Sequence, residues 1–141
     1  MTDWDPEAFT RALIDDMRAH GGKVTSGPMA GKDLMILTTK GAKTGKPRRA
    51  IVTYTRDGDA YVVAGSKGGA PTDPQWFDNI RANPEVTAEA GGKTFAARAD
   101  VAEGADRDAL WTRHVERWPE FGEYPKKTDR VIPMARLKRA E

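Results

Sequence analysis

Ala50-Ile51-Val52-Thr53-Tyr54-Thr55-Arg56-Asp57-Gly58-Asp59-Ala60-Tyr61-Val62-Val63-Ala64 is the stretch that decides the fold. Ile51 to Thr55 and Tyr61 to Val63 are β-branched or aromatic throughout. Such side chains sit easily on a pleated surface and are crowded on a helix. Between the two runs, Asp57-Gly58 supplies the positive φ that a tight hairpin turn requires. Strands joined so closely must be antiparallel. The reading is a hairpin of Ala50–Thr55 and Ala60–Ala64.

The same pattern extends outward. Leu34–Thr39 is a short apolar run upstream. Downstream, Val86–Ala90 and Lys93–Val101 flank Gly91-Gly92 as a second hairpin, and Val131–Leu137 is a last strand. Pro133 inside that strand predicts an edge position or a bulge. Three segments have helical spacing instead. Residues 1–22 hold an amphipathic helix, with Asp5 as N-cap, Pro6 at its first position, Phe9, Leu13, Ile14 and Met17 on one face, and Gly21-Gly22 as the stop. A helix covering the core is the plainer account of that face, and a lid over a ligand or a membrane-surface contact is the sharper one. A second helix runs from Gln75 to about Ala82 between Asp73-Pro74 and Asn83-Pro84. A third spans Ala105–Arg117, with Leu110, Trp111 and Val115 on its buried side. No strand–helix–strand repeat of the parallel kind occurs. The expected fold is mainly β, of the α+β class: a small, twisted antiparallel barrel with an N-terminal helix and further helices packed around it.

The chain of 141 residues is long enough for one domain with a core, expected over residues 1–141. Its formal net charge of +2 argues against bulk nucleic-acid binding. The absence of cysteine excludes thiol nucleophiles, thiolate metal sites and disulfides, and agrees with a cytoplasmic protein. His20 and His114 are isolated, so no histidine-built metal site is expected. The acidic start and the lack of a long apolar run predict neither a signal peptide nor a membrane-spanning helix.

Two loops carry the chemistry. The first, Thr38-Thr39-Lys40-Gly41-Ala42-Lys43-Thr44-Gly45-Lys46-Pro47-Arg48-Arg49, gathers five cations with no acid among them. Convergent backbone N–H groups and basic side chains are what a phosphate needs. Taken alone, a solvated Lys-rich hairpin loop explains it as simply. The second, Gly65-Ser66-Lys67-Gly68-Gly69-Ala70-Pro71, lies between a strand and a helix start. Its donors suit a heterocyclic carbonyl or a phosphate, and an ordinary strand–helix connection is an equal account. Neither loop has the spacing of a P-loop or a dinucleotide-binding turn. Trp76 offers a flat face to a planar ring, though core packing ranks first for a lone helical Trp. Asn79 reads as a ligand contact or a structural polar residue. Trp118, Phe121 and Tyr124 form an aromatic segment that roofs a pocket or caps a satellite hydrophobic cluster. Tyr124 also carries a hydroxyl that donates a hydrogen bond or a proton.

In order along the chain, Leu37 to Arg48, Ala64 to Pro71, Asp73 to Asn79, Ala82-Asn83-Pro84-Glu85-Val86, Trp118-Pro119-Glu120-Phe121 and Thr128-Asp129-Arg130-Val131-Ile132-Pro133 together resemble one family. It is the deazaflavin-dependent nitroreductase family, the quinone reductases that use reduced coenzyme F420, within the flavin/deazaflavin oxidoreductase group. The resemblance implies a split β-barrel with the deazaflavin in a groove. It implies Lys43, Thr44, Arg48 and Arg49 on the phosphate and acidic tail, and Ala50, Ile51, Val52 and Thr53 along the groove. Ala64, Gly65, Ser66 and Lys67 would meet the ring. Gln75, Trp76, Phe77, Asp78 and Asn79 would line the far side, and Trp118, Phe121 and Tyr124 the substrate pocket. Ser66 and Tyr124 are the implied catalytic groups.

Some relatives carry three tyrosines where this chain has Trp118, Phe121 and Tyr124. The missing hydroxyls would orient or protonate a nitro compound, so quinone or enone reduction is the expected reaction. FMN in the same barrel is the second enzyme reading, and a non-catalytic binder of a polyanionic cofactor or single-stranded nucleic acid the third. A small-molecule electron acceptor is expected as partner, and the assembly as monomer or homodimer.

Overall fold

The computed structural model describes residues 6–25, 30–66, 69 and 72–140. Asp5, Lys67, Gly68, Ala70, Pro71 and the side chains of Pro6 and Phe9, named above, lie outside that description. The elements run α1 (Pro6–Ala19), β1 (Leu34–Lys40), β2 (Pro47–Asp57), β3 (Ala60–Ala64), α2 (Gln75–Ala82), β4 (Glu85–Ala90), β5 (Lys93–Ala102), α3 (Gly104–Arg117), a 3-10 helix (Pro119–Lys126) and β6 (Met134–Arg139). The strands close a ring in the order β1-β2-β3-β6-β5-β4. Every neighbouring pair is antiparallel. The two hairpins form as their turn residues dictate: Asp57 pairs with Ala60 and Ala90 with Lys93.

Alternation along the strands sorts side chains inside from outside. Met35, Leu37, Val63, Val86, Phe95 and Leu137 fill the barrel, and Ala88, Ala97, Ala99 and Ala135 keep it narrow enough to pack. Phe77 and Ile80 of α2 join this cluster. Burying a side chain of that size contributes roughly 1.5–3 kcal/mol. On the outside, Ile14 and Met17 of α1 pack with Val24, Leu34 and Ile36. The apolar face of α1 is therefore engaged by the barrel, as the plainer reading of the helix required. Arg18 fastens the helix to β4 by a two-pronged ion pair with Glu89 at 3.0 Å. Gly22 meets the second hairpin so closely that a Cβ there would stand 2.8 Å from the Gly92 nitrogen.

α3 and the 3-10 helix cover the opposite wall through Leu110, Trp118, Phe121 and Ile132 against Val62, Ala64 and Met134. Leu110 is buried as expected, whereas Trp111 and Val115 are only half-buried. The fully enclosed member of that face is His114.

Two expectations are corrected. β6 begins at Met134, three residues later than the apolar pattern suggested, and pairs with β3 on one side and β5 on the other. Pro133 is thus neither at an edge nor in a bulge. It precedes the first paired residue, where its missing N–H breaks no ladder bond, and its carbonyl accepts from the Gly65 N–H at 2.8 Å. β2 also starts three residues before Ala50, because Pro47, Arg48 and Arg49 are drawn into pairing with Lys40, Thr39 and Thr38.

That long β2 changes partners midway. Residues Pro47 to Thr53 pair with β1, and Tyr54 to Asp57 pair with β3. Extended by register, Ala64 would face Thr53 and Gly65 would face Val52. Instead β3 ends, and Gly65 turns its N–H to Pro133. Among the described residues, no backbone pairing joins the first half of β2 to the chain leaving β3, and the wall is parted between them.

Candidate cofactor and substrate site

The first loop is folded by its own polar groups. The Gly41 N–H donates to the Lys46 carbonyl and the Gly45 N–H to the Gly41 carbonyl, each at 2.8 Å. The Lys46 N–H donates to Thr44 Oγ1 at 3.2 Å. Asn79 of α2 ties the loop down from below. Its Oδ1 accepts from the Ala42 N–H at 3.0 Å and from Gln75 Nε2 at 3.2 Å, and its Nδ2 donates to Thr39 Oγ1 at 3.0 Å. Asn79 is wholly enclosed, and its bond to Thr39 forms where water does not compete. Only the Lys43 and Thr44 N–H groups, at the loop tip, find no acceptor among the described residues.

Beneath that tip lies a cavity of about 250 Å³ lined by Gly41, Ala42, Lys43, Thr44, Arg48, Gln75 and Asn79. Among the described residues no carboxylate pairs with Lys40, Lys43, Lys46, Arg48 or Arg49, while Arg18, Arg113, Arg117 and Arg136 all have acid partners. Of these five cations, Lys43 and Arg48 line the cavity. The two arginines separate, because consecutive strand residues point to opposite faces. Arg48 shares the face of its partner Thr39 and reaches the cavity; Arg49 shares the outer face of Thr38 and does not.

The second loop is held by a residue that sequence reasoning quoted without giving it a role. Arg130 Nη1 donates to the Gly65 carbonyl at 3.1 Å and to Asp73 Oδ1 at 2.7 Å, and its Nη2 donates to the Ser66 carbonyl at 2.8 Å. The other Asp73 oxygen accepts from Arg81 Nη1 at 2.7 Å. The Arg81 guanidinium lies 4.7 Å from the centre of the Phe77 ring. Gly65 has no room for a side chain: a Cβ would stand 2.8 Å from Phe77 and 2.9 Å from Pro133. Phe77 therefore belongs to the core and offers no surface to a ligand, contrary to its expected cofactor contact. Trp76 is half-buried against the barrel core and tilted on Phe77 at 5.3 Å. Asp78 faces solvent, 3.5 Å from Arg81.

Of the aromatic segment, Trp118 is structural. It is buried, and its Nε1–H donates to the Tyr54 carbonyl at 3.1 Å. Phe121 is also buried, edge-on to His114 at 4.5 Å and to Tyr124 at 5.1 Å. Tyr124 alone of the three keeps substantial exposure. Gly69, whose N–H donates to the Ser66 carbonyl, presses against the 3-10 helix, with its Cβ direction 3.1 Å from the Tyr124 carbonyl. Ser66 and Tyr124 thus sit on abutting segments. Behind them, His114 Nδ1 pairs with Thr55 Oγ1 at 3.1 Å, and its Nε2 has no hydrogen-bond partner. Burial pushes the imidazole pKa down to about 4, so the ring is neutral at physiological pH.

A small cavity lined by Lys43 and Arg48, a Gly65–Ser66 turn clamped by Arg130 and the partly exposed Tyr124 on the abutting 3-10 helix are carried by one antiparallel barrel. Comparison with known proteins gives the family. The chain belongs to the F420H(2)-dependent quinone reductase family, whose model matches residues 9–138, and is an F420H2-dependent oxidoreductase. An F420H(2)-dependent quinone reductase of Mycobacterium tuberculosis is 41% identical over 108 residues, covering 74% of this chain and 72% of that protein. A solved F420-H2 dependent reductase superposes with a TM-score of 0.69 at 36% identity, over 75% of this chain and 94% of its own. A second solved structure, a domain-swapped dimer, gives a TM-score of 0.72 at 31% identity and covers 95% of this chain and all of its own.

Proposed function

We propose that the chain transfers a hydride from reduced coenzyme F420 to a quinone, an enone or a similar electrophilic carbonyl compound. The observation that carries this is the small cavity lined by Lys43 and Arg48, neither of which has an acid partner among the described residues. At about 250 Å³ the cavity suits the phosphate and the start of an acidic tail, and a tricyclic ring must lie outside it, along the wall. Lys43, Arg48 and the N–H groups of Lys43 and Thr44 would hold the phosphate end. The first half of β2 and the Gly65–Ser66 segment would flank the ring, with Trp76 and Gln75 on the α2 side. The family match favours the deazaflavin over FMN.

When bound, the reduced deazaflavin supplies a hydride to an electrophilic carbon. The residues of this chain do the rest. Lys43 and Arg48 contribute binding energy remote from the reacting centre, which holds the ring in register. Tyr124, with Phe121 behind it, bounds the side on which the acceptor lies. As the hydride arrives, negative charge grows on the acceptor oxygen. Ser66 Oγ, a loop N–H and Tyr124 Oη are the donors within this wall that stabilise it, with water completing the protonation. No one of them is an essential acid. The domain-swapped neighbour supports a homodimer over a monomer, which sedimentation would decide.

The test is anaerobic titration of the purified protein with reduced coenzyme F420, FMN and NADPH, followed by menadione. Binding of the deazaflavin, and its oxidation only after the quinone is added, is the expected result. Binding of FMN alone would overturn the reading.

A further inference from the structure

A peptide unit turns over by rotation about ψ of its first residue and φ of its second, and a glycine in the first position leaves that ψ unrestricted by a Cβ. Gly65–Ser66 is such a unit, at the place where the proposed ring would lie. Nothing in its own sequence decides whether the loop shows a ligand an N–H or a carbonyl. Arg130 supplies that decision from across the chain. Its fork takes the carbonyls of two consecutive residues, Gly65 at 3.1 Å and Ser66 at 2.8 Å. In a trans peptide the carbonyl and the following N–H point in opposite directions. With the Gly65 carbonyl turned to the guanidinium, the Ser66 N–H points to the other side.

The fork is itself immobilised. Asp73 holds Nη1 at 2.7 Å, Arg81 holds the second Asp73 oxygen, and Arg81 lies on Phe77, over which Gly65 is packed. The Arg130 side chain is only 15% exposed, so the guanidinium acts on these peptides with little screening. Its charge stands behind two carbonyls and polarises the peptides, strengthening their N–H groups as donors.

We infer that Arg130 is a positioning residue of the reductase: it locks the Gly65–Ser66 peptide with the N–H, not the carbonyl, presented to the ligand. This rests on the proposed deazaflavin reading. It assigns affinity for the ring to Arg130 and affinity for the tail to Lys43 and Arg48. Lysine cannot replace it, because an ammonium lacks the planar fork that spans three oxygens.

The test compares the wild type, Arg130→Lys, Arg130→Gln and Arg48→Gln. Two probes are titrated by deazaflavin fluorescence: coenzyme F420 and the deazaflavin nucleoside that lacks phosphate and acidic tail. Both Arg130 variants are expected to weaken both probes by a similar factor, about tenfold. Arg48→Gln is expected to weaken only the full coenzyme. Phosphate competition against the full coenzyme should be unchanged in Arg130→Lys, a readout that general loosening of the fold would move. In ligand-free protein the Ser66 amide NMR signal should shift or split in both Arg130 variants. Unchanged nucleoside affinity in Arg130→Lys together with an unmoved Ser66 amide would overturn the role of Arg130. Failure of the wild type to bind either probe would overturn the deazaflavin reading, and with it the ligand-facing part of this inference.

Discussion

His114 makes the stability of this protein depend on pH in a window where few other groups act. The ring is fully enclosed, shares one hydrogen bond with Thr55 and has its pKa lowered from 6.5 to about 4 by burial. The unfolded chain therefore binds more protons than the folded one between those values. Stability is complete above about pH 6.5, falls as the pH drops through the window, and levels off below about 4. Lowering the pH from 7 to 5 should cost about 2 kcal/mol, from the two protonation polynomials with these pKa values. The Asp57 and Asp106 carboxyls, held below their ordinary range by Arg136, titrate beneath this interval and add little to it. Urea unfolding followed by tryptophan fluorescence at pH 7, 6 and 5 measures the loss. In His114→Leu the Thr55 hydroxyl loses its partner, and the pH dependence of stability should be nearly flat across the same interval. If the variant loses as much stability as the wild type between pH 7 and 5, the buried neutral histidine is not the cause.

Other outcomes follow from the contacts. Asn79→Ala should cost about 1–3 kcal/mol in urea unfolding, since the enclosed Asn79 loses its buried bond to Thr39 and its bond to the Ala42 N–H, and should weaken binding of coenzyme F420 as the loop loosens. Gly65→Ala drives a methyl into Phe77 and Pro133 and should destabilise by about 1–3 kcal/mol in the same assay. Lys43→Ala and Arg48→Ala should leave the melting temperature within about a degree or two, having no ion pair to break, yet reduce coenzyme affinity by about tenfold each, less at high salt. Tyr124→Phe should slow hydride transfer by less than about tenfold in stopped flow. Its loss altogether, with the coenzyme still bound, would contradict the absence of an essential acid.

The fold was legible where local chemistry decides it. Asp57-Gly58 and Gly91-Gly92 specify their turns within two residues, and the strands on either side follow. The early start of β2 was not, because Pro47, Arg48 and Arg49 have no strand preference of their own and are recruited by β1. At the site, the basic loop could be read directly, as charge without acids is visible in any sequence. Its scaffold could not. Arg130 acts on backbone carbonyls 64 and 65 residues away, and a carbonyl leaves no mark on residue identity. His114 did leave a trace: Leu110, His114 and Trp118 recur every fourth residue, on the face that packs against the barrel. Its polarity hid it from a pattern built on apolar side chains.

Among the described residues, the first half of β2 has a strand partner on one side only. A half-paired strand is a template on which another chain can add itself, and barrels normally escape that hazard by closing. On the proposed reading, the deazaflavin ring takes that place in the wall. The defences that edge strands use elsewhere are a proline at the start and a run of like charges, and Pro47, Arg48 and Arg49 supply both. Charge suited to an anion also repels a second copy of the same strand. Neutralising these arginines should therefore do more than weaken a ligand: it should make the ligand-free protein prone to self-association.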